Sequence, residues 1–179
     1  RDTARSRGLG DVYKRPIQGN KLKGNNYIKD AIKNGSKIII SNLNFEGFNK
    51  EKILFIKNKN PRKALADAAS NFYKKKPKNI IALTGTNGKT SISNFFYQIL
   101  SLNKKKVAAI GTLGVLSKKI KLKTNNTTID PIKMHQILQK LKNLNIDNVI
   151  IEASSHGLKQ HRLDGLNAVS YTHLRAHET

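Results

Sequence analysis

Residues 85–91 read G-T-N-G-K-T-S, and their types and spacing could do chemistry. Gly85 and Gly88 would let the backbone approach an anion closely. Backbone N–H groups at the start of a helix would point at it. Lys89 would neutralise charge on β- and γ-phosphates, and the Thr90 hydroxyl would ligate Mg²⁺. Gly85, Thr86, Asn87, Gly88, Lys89, Thr90 and Ser91 are therefore the candidate ATP-binding residues. The loop is shorter than the general G-x-x-x-x-G-K-[ST] pattern, which asks for a glycine where Leu83 stands.

Such a cradle needs a strand to deliver it and a helix to open behind it. Residues 79–83 form an apolar run expected of a buried strand. Ile92, Phe95, Phe96, Ile99 and Leu100 then recur at helical spacing and are expected to face a core. Further strands are predicted over 107–110 and 148–153, and helices over 88–102 and 131–144. Asp130-Pro131 supplies a capping side chain followed by a proline suited to a first helical position. This alternation predicts an α/β fold with a parallel sheet and right-handed crossovers. Ligands bind such sheets at the carboxyl ends of the strands. The turn after Leu83, residues 111–113 and residues 152–156 should therefore meet on one edge.

Upstream, residues 25–34 have helical spacing with Gly35 as a stop, and 37–40 and 53–56 read as strands. Asn60-Pro61 opens a helix over 62–73 expected to bury Ala64, Leu65, Ala68, Ala69 and Phe72. The lysine-rich run at 74–78, with Pro77 barring a helix, reads as a linker between domains at 17–76 and 77–169.

The net charge is +23, which invites a nucleic-acid reading. Lysine supplies 27 of the 34 basic residues, in a chain with 20 Asn and 20 Ile, a bias expected of AT-rich coding sequence. The lysines are scattered, with short runs at 74–76, 104–106 and 118–119, and no aromatic residues interleave them as in RNA-binding modules. Solvated faces are the expectation, and no specific nucleic-acid partner is. There is no cysteine, in keeping with a cytoplasmic location. No apolar run approaches the ~18 residues of a membrane span.

Residue usage breaks near both ends. All Asn and all Ile lie within 17–169, with 26 lysines and only two arginines, Arg62 and Arg162. Residues 1–16 and 170–179 hold five arginines and one lysine. They also resemble translated sequencing-adapter segments, and are read as foreign sequence outside the fold.

GTNGKTS at 85–91, NNTTIDP at 125–131 and IEASSHGLKQHRLDG at 151–165 closely resemble the Mur ligases. Within that family they are most similar to the members that add the third residue of the peptidoglycan stem peptide. Residues 17–40 resemble the end of the family's UDP-sugar-binding domain, and residues 60–73 its connecting helix. The fold implied is a partial N-terminal UDP-binding α/β domain followed by the first half of a P-loop, parallel-sheet central domain. Two rival readings remain. One is another amide ligase of the superfamily, of cyanophycin-synthetase or folylpolyglutamate-synthase type. The other is a P-loop binding module without ligase chemistry.

The resemblance implies ATP-dependent acyl activation: the carboxylate of a UDP-MurNAc-dipeptide attacks the γ-phosphate, and an amino acid, diaminopimelate or lysine, then displaces phosphate. Lys89 and Glu152 would be the catalytic residues, with ATP and Mg²⁺ as cofactors. Thr90 and Glu152 would hold the metal, with His156 either approaching it or capping its turn. Asn126, Thr127, Thr128, Ser154, Gln160 and Arg162 would hold the muramyl-dipeptide, Arg162 because its guanidinium can grip an oxyanion with two N–H groups. His135 and His161 are expected at the surface. The family's uridine-binding Asp-Ser-Arg segment, carbamylated lysine and C-terminal domain have no counterpart in the chain, so this polypeptide is expected to be inactive alone. Oligomeric state is not legible.

Overall fold

The computed structural model describes residues 13–14, 24–124, 126–168 and 170–174. It divides into two compact units, Arg1–Ala68 and Ala69–Thr179.

In the first unit, β1 (Tyr13–Lys14), a 3-10 turn (Gly24–Tyr27), α1 (Ile28–Lys33), β2 (Ile38–Ser41), β3 (Gly47–Phe48) and β4 (Leu54–Lys57) follow in order. The sheet runs β1-β2-β4-β3, with β2 parallel to β4 and β3 antiparallel to it. Ala31, Ile39, Ile53 and Phe55 form its core, with Ile28 and Ile32 packed against them. Gly35 stops α1 in a left-handed conformation, φ +89°, which L side chains rarely adopt. The expected helix over 25–34 is thus a 3-10 turn leading into six α-helical residues. Its two strands lie one residue later than expected.

Helix α2 (Pro61–Phe72) begins as predicted: Asn60 Oδ1 accepts the Lys63 amide at 3.1 Å. The boundary between units falls within it. The buried positions are Ala66 and Ala69, with Tyr73 one residue beyond the helix end, an i, i+3, i+7 stripe. Phe72 was expected inside but is 54 % exposed and meets Tyr73 edge-on. Ala69 is buried as expected, and the buried face turns toward Ala66 and away from Phe72.

The second unit contains β5 (Asn79–Gly85), α3 (Lys89–Leu102), β6 (Val107–Gly111), β7 (Gly114–Ser117), β8 (Lys121–Leu122), α4 (Pro131–Asn143), β9 (Asn148–Glu152), α5 (Ser155–Lys159) and β10 (Ser170–Leu174). The strand order is β10-β5-β9-β6-β7-β8. The first four are parallel, as the alternation predicts, and β7 and β8 complete the sheet antiparallel. The β6–β7–β8 meander was not foreseen because its strands are short and hold few alternating positions.

Fully buried Met134, Leu138 and Leu141 of α4 pack on Ile80, Ile110, Val149 and Ile151 of the sheet. Leu83, Ala109 and Ile150 face the other way, with Phe96 and Tyr97 of α3 against them. The helix face expected from periodicity is corrected in part: Phe96 packs on the sheet as expected. Ser93 is the buried residue of α3, while Ile92, Phe95 and Ile99 are exposed. Ser170–Leu174, set apart from the fold by residue usage, pairs in parallel register with Ile81–Gly85 of β5. An uncovered strand edge accepts a β-branched and aromatic segment through backbone bonds whatever its coding origin. Most of residues 1–16 lie outside the described residues.

Candidate functional site

β9 lies between β5 and β6, all three parallel, so their carboxyl ends share one edge. Register places Leu83 beside Glu152 and Ile110 beside Ile151. Segments far apart in sequence are brought together there, as expected.

At the end of β5 the chain turns through Gly85 (φ +145°) and Gly88 (φ +78°) into α3. Gly88 is the N-cap of this 14-residue helix, with no side-chain cap to occupy its first amides. Those N–H groups and the positive helix end are the elements of an anion cradle. Thr86, Asn87 and Gly88 are exposed, as is Ser91 in the first helical turn. Half-buried Lys89 folds back, donating from Nζ to the Gly85 and Thr86 carbonyls at 2.5 and 3.1 Å. It is thus held over the loop it was predicted to serve.

Glu152 closes β9 and is only 2 % exposed. Its Oε2 accepts the Thr90 hydroxyl at 2.9 Å and the Thr112 hydroxyl at 3.0 Å. Thr127 Oγ1 lies 3.1 Å from Thr112 Oγ1. The carboxylate thus holds two threonines, from the phosphate loop and the β6–β7 turn, and the second of these reaches Thr127 of the 126–128 loop. Gly111 makes room for it, since a methyl there would lie 2.2 Å from Glu152 Oε1. A carboxylate with neighbouring hydroxyls is a hard-oxygen donor set of the kind Mg²⁺ accepts, its remaining positions going to water and phosphate. Thr90 and Glu152 therefore fit the metal.

His156 is not brought to that cluster: its Nε2 is 2.5 Å from Gln160 Nε2 across one turn of α5. Gln160 Oε1 accepts Arg162 Nε and Nη2 at 3.0 and 2.7 Å, which leaves its amide nitrogen as the group facing His156 Nε2. Arg162 Nη1 also donates to the Thr128 carbonyl at 2.5 Å. The guanidinium thereby clamps the 126–128 loop to the segment after α5.

Thr128 and Ser154 are interior posts. Thr128 is 1 % exposed, and its Oγ1 donates to the Glu152 carbonyl and accepts the Ser154 amide at 3.0 and 2.9 Å. Ser154 Oγ lies 3.1 Å from the same hydroxyl and caps α5 by accepting the Gly157 amide at 3.0 Å. A methyl on Gly157 would lie 2.6 Å from Thr128 Cβ, so only glycine fits there. Asn126 is exposed and lines a groove of about 340 Å³ with Lys123, Thr124 and Lys133.

The sequence places residues 111–113 at this edge but gives Gly111 and Thr112 no role of their own, and Gly157 is missed. The available signal was the G-T-L-G run at the carboxyl end of a predicted parallel strand, where a hydroxyl is well placed to meet a ligand.

Two histidine expectations change. His161 is half-buried, with Nδ1 2.8 Å from Asp164 Oδ2. His135 is fully buried in α4, with Nε2 3.1 Å from the Asp164 carbonyl. Burial holds its pKa down at about 4, the Asp164 carbonyl raising it and the nearby Lys76 charge lowering it further. It faces the core because its position continues the Met134, Leu138 and Leu141 face.

Among the described residues no helix is long and apolar enough to cross a membrane, and no group of three His, Cys, Asp or Glu side chains could hold a metal. A metal at Glu152 would draw its other ligands from hydroxyls and from bound phosphate.

Residues 83–179 match the Mur ligase middle domain. The chain is 37 % identical over 176 residues to UDP-N-acetylmuramoyl-L-alanyl-D-glutamate--2,6-diaminopimelate ligase of Rhizobium meliloti (strain 1021), covering 96 % of this chain and 36 % of that protein. It is 38 % identical over 174 residues to the protein of the same name in Rickettsia prowazekii (strain Madrid E), covering 91 % and 36 %. A solved structure of a ligase of that name superposes with a TM-score of 0.75 at 24 % identity, over 92 % of this chain and 34 % of that one. A MurF ligase from Thermotoga maritima in complex with ADP gives 0.53 at 19 %, over 88 % and 34 %. Both show a shared fold. The chain spans about a third of the length of the relatives it matches. On the middle-domain match and this identity, the chain belongs to the Mur ligase family.

Proposed function

We propose that the chain carries the ATP-handling part of a cytoplasmic amide ligase of peptidoglycan synthesis, the type that adds diaminopimelate to a UDP-MurNAc-dipeptide. The observation that carries this reading is the convergence of Lys89, Thr90, Glu152 and Thr127 on one sheet edge. The relatives named as diaminopimelate ligases favour that amino acid over lysine. Residues 17–76 would belong to the UDP-sugar-binding domain and 77–169 to the central domain.

In the chemistry proposed, an oxygen of the D-Glu carboxylate attacks the γ-phosphorus and the bond to the bridging oxygen breaks, releasing ADP and leaving an acyl phosphate. The amine then attacks the acyl carbon, phosphate departs, and the amine gives up a proton. Two anions must approach in the first step, so charge screening is the main demand. Lys89 meets it by leaving the Gly85 and Thr86 carbonyls for phosphate oxygens, while the α3 amides hold the remaining phosphate charge. Thr90 and Glu152 would hold Mg²⁺, which supplies further screening of the phosphates. Thr127 faces the acceptor side beside Asn126, and Arg162 with Gln160 keeps that loop in place. Thr128 and Ser154 act through the backbone they fix.

The test is an assay of the reading frame extended into its genomic flanks. Phosphate release that requires ATP, UDP-MurNAc-dipeptide and diaminopimelate together supports the reading. Release indifferent to the muramyl-dipeptide, or no release from a folded full-length product, contradicts it.

A further inference from the structure

We propose that Thr112 is a positioning residue coupling the phosphate and metal side of the site to the acceptor loop at 126–128. This rests on the nucleotide-binding reading above and deepens it.

The argument is a proton count. Thr90 and Thr112 both donate to Glu152 Oε2. A threonine hydroxyl has one proton. With its own directed at Glu152, Thr112 can only accept from Thr127, 3.1 Å away. The donor chain therefore runs from Thr127 to Thr112 to Glu152. Thr90 stands 3.5 Å from Thr112, at the limit of hydrogen bonding, so its link to the acceptor loop runs through the shared carboxylate.

The backbone fixes Thr112 in this place. Thr112 and Leu113 are the two residues linking β6 to β7, with a glycine on either side. A methyl on Gly111 would meet Glu152, and one on Gly114 would lie 2.1 Å from the Leu122 carbonyl oxygen. Gly114 also has φ +88°. A turn packed this closely on both sides holds its hydroxyl above the carboxylate. When a cation or phosphate draws on Glu152 or Thr90, the acceptor that Thr112 points at changes. Thr127 is bonded to Thr112 Oγ1 and must respond.

The test follows backbone amide signals of the 179-residue chain by NMR during addition of ADP with Mg²⁺, in wild type, Thr112→Val and Thr112→Ser. Valine keeps the shape and removes the hydroxyl; serine keeps the hydroxyl. In wild type, the amides of 85–90 and of Thr127 should shift together. In Thr112→Val, 85–90 should still shift while Thr127 stays still, and the gain in ADP affinity brought by Mg²⁺ should fall about tenfold, the loss of roughly one hydrogen bond to a charged group. Thr112→Ser should restore both to within about threefold. A purely structural role predicts that Val and Ser differ only in stability, with Thr127 still responding in each. If 85–90 respond but Thr127 does not in wild type, or Thr127 still moves in Thr112→Val, the coupling is wrong and the nucleotide site stands. If 85–90 do not respond in a folded wild-type chain, the nucleotide reading fails and the coupling fails with it.

Discussion

A methyl group at Gly111 would lie 2.2 Å from Glu152 Oε1, so β6 leaves no room for a side chain beside the buried carboxylate of β9. Gly111→Ala should push Glu152 away from Thr90 and Thr112 while leaving the sheet hydrogen bonds in place. The expected outcome is a loss of up to about tenfold in ADP affinity with Mg²⁺ present, with Mg²⁺-free affinity changed far less, read by calorimetric titration. Equal losses with and without Mg²⁺ would mean that Glu152 does not serve the metal.

Gly157 faces Thr128 in the same way, but deeper in the fold. Gly157→Ala sets a methyl 2.6 Å from Thr128 Cβ in a buried cluster that includes the Ser154 cap. Overpacking of this kind costs about 1–3 kcal/mol. Urea unfolding should show a lower midpoint with an unchanged slope; an unchanged midpoint would mean that α5 can shift freely.

Arg162 joins Gln160 Oε1 through two N–H groups and the Thr128 carbonyl through a third. Lysine carries the charge but not the planar fork. Arg162→Lys should therefore loosen the 126–128 loop, seen as faster amide hydrogen exchange at Thr127 and Thr128, with little change at 85–90. Exchange rates like those of wild type would show that charge alone holds the loop.

His135 gives the fold a pH dependence of known sign. Its folded pKa of about 4 lies below its ordinary 6.5, so between these values the unfolded chain takes up a proton that the buried ring refuses. Its contribution is fully present above pH 6.5 and is lost as pH falls toward 4, in total about 3 kcal/mol. Urea midpoints at pH 7, 6 and 5 should fall more steeply for wild type than for His135→Phe. Parallel slopes would show that the ring is solvated.

The sequence made the second unit legible where its chemistry is local. Glycines, a lysine and a threonine at fixed spacing marked the phosphate loop, and Asp130-Pro131 marked the start of α4, whose cap is observed at 3.0 Å from Lys133 N. The meeting of these segments on one edge was legible, but the individual contacts that depend on register were not. Thr112 meets Glu152 because β6 and β9 are neighbours ending level, which no spacing within either segment encodes. Periodicity also misjudged parts of α3 and α2, where the small residues Ser93 and Ala66 are buried while Phe95 and Phe72 stay exposed; Ala69 is buried as expected. The resemblance implies that Thr128 and Ser154 hold the muramyl-dipeptide; in the fold their hydroxyls are engaged by one another and by backbone.

The most direct test of the central claim is calorimetric titration of the 179-residue chain with ADP, with and without Mg²⁺, for wild type and Lys89→Ala. One ADP per chain, bound about tenfold tighter with Mg²⁺ and lost in Lys89→Ala, is the outcome that a phosphate cradle served by Thr90 and Glu152 predicts. A folded wild-type chain that takes up no ADP, or binds it equally well without Mg²⁺ and without Lys89, would contradict it.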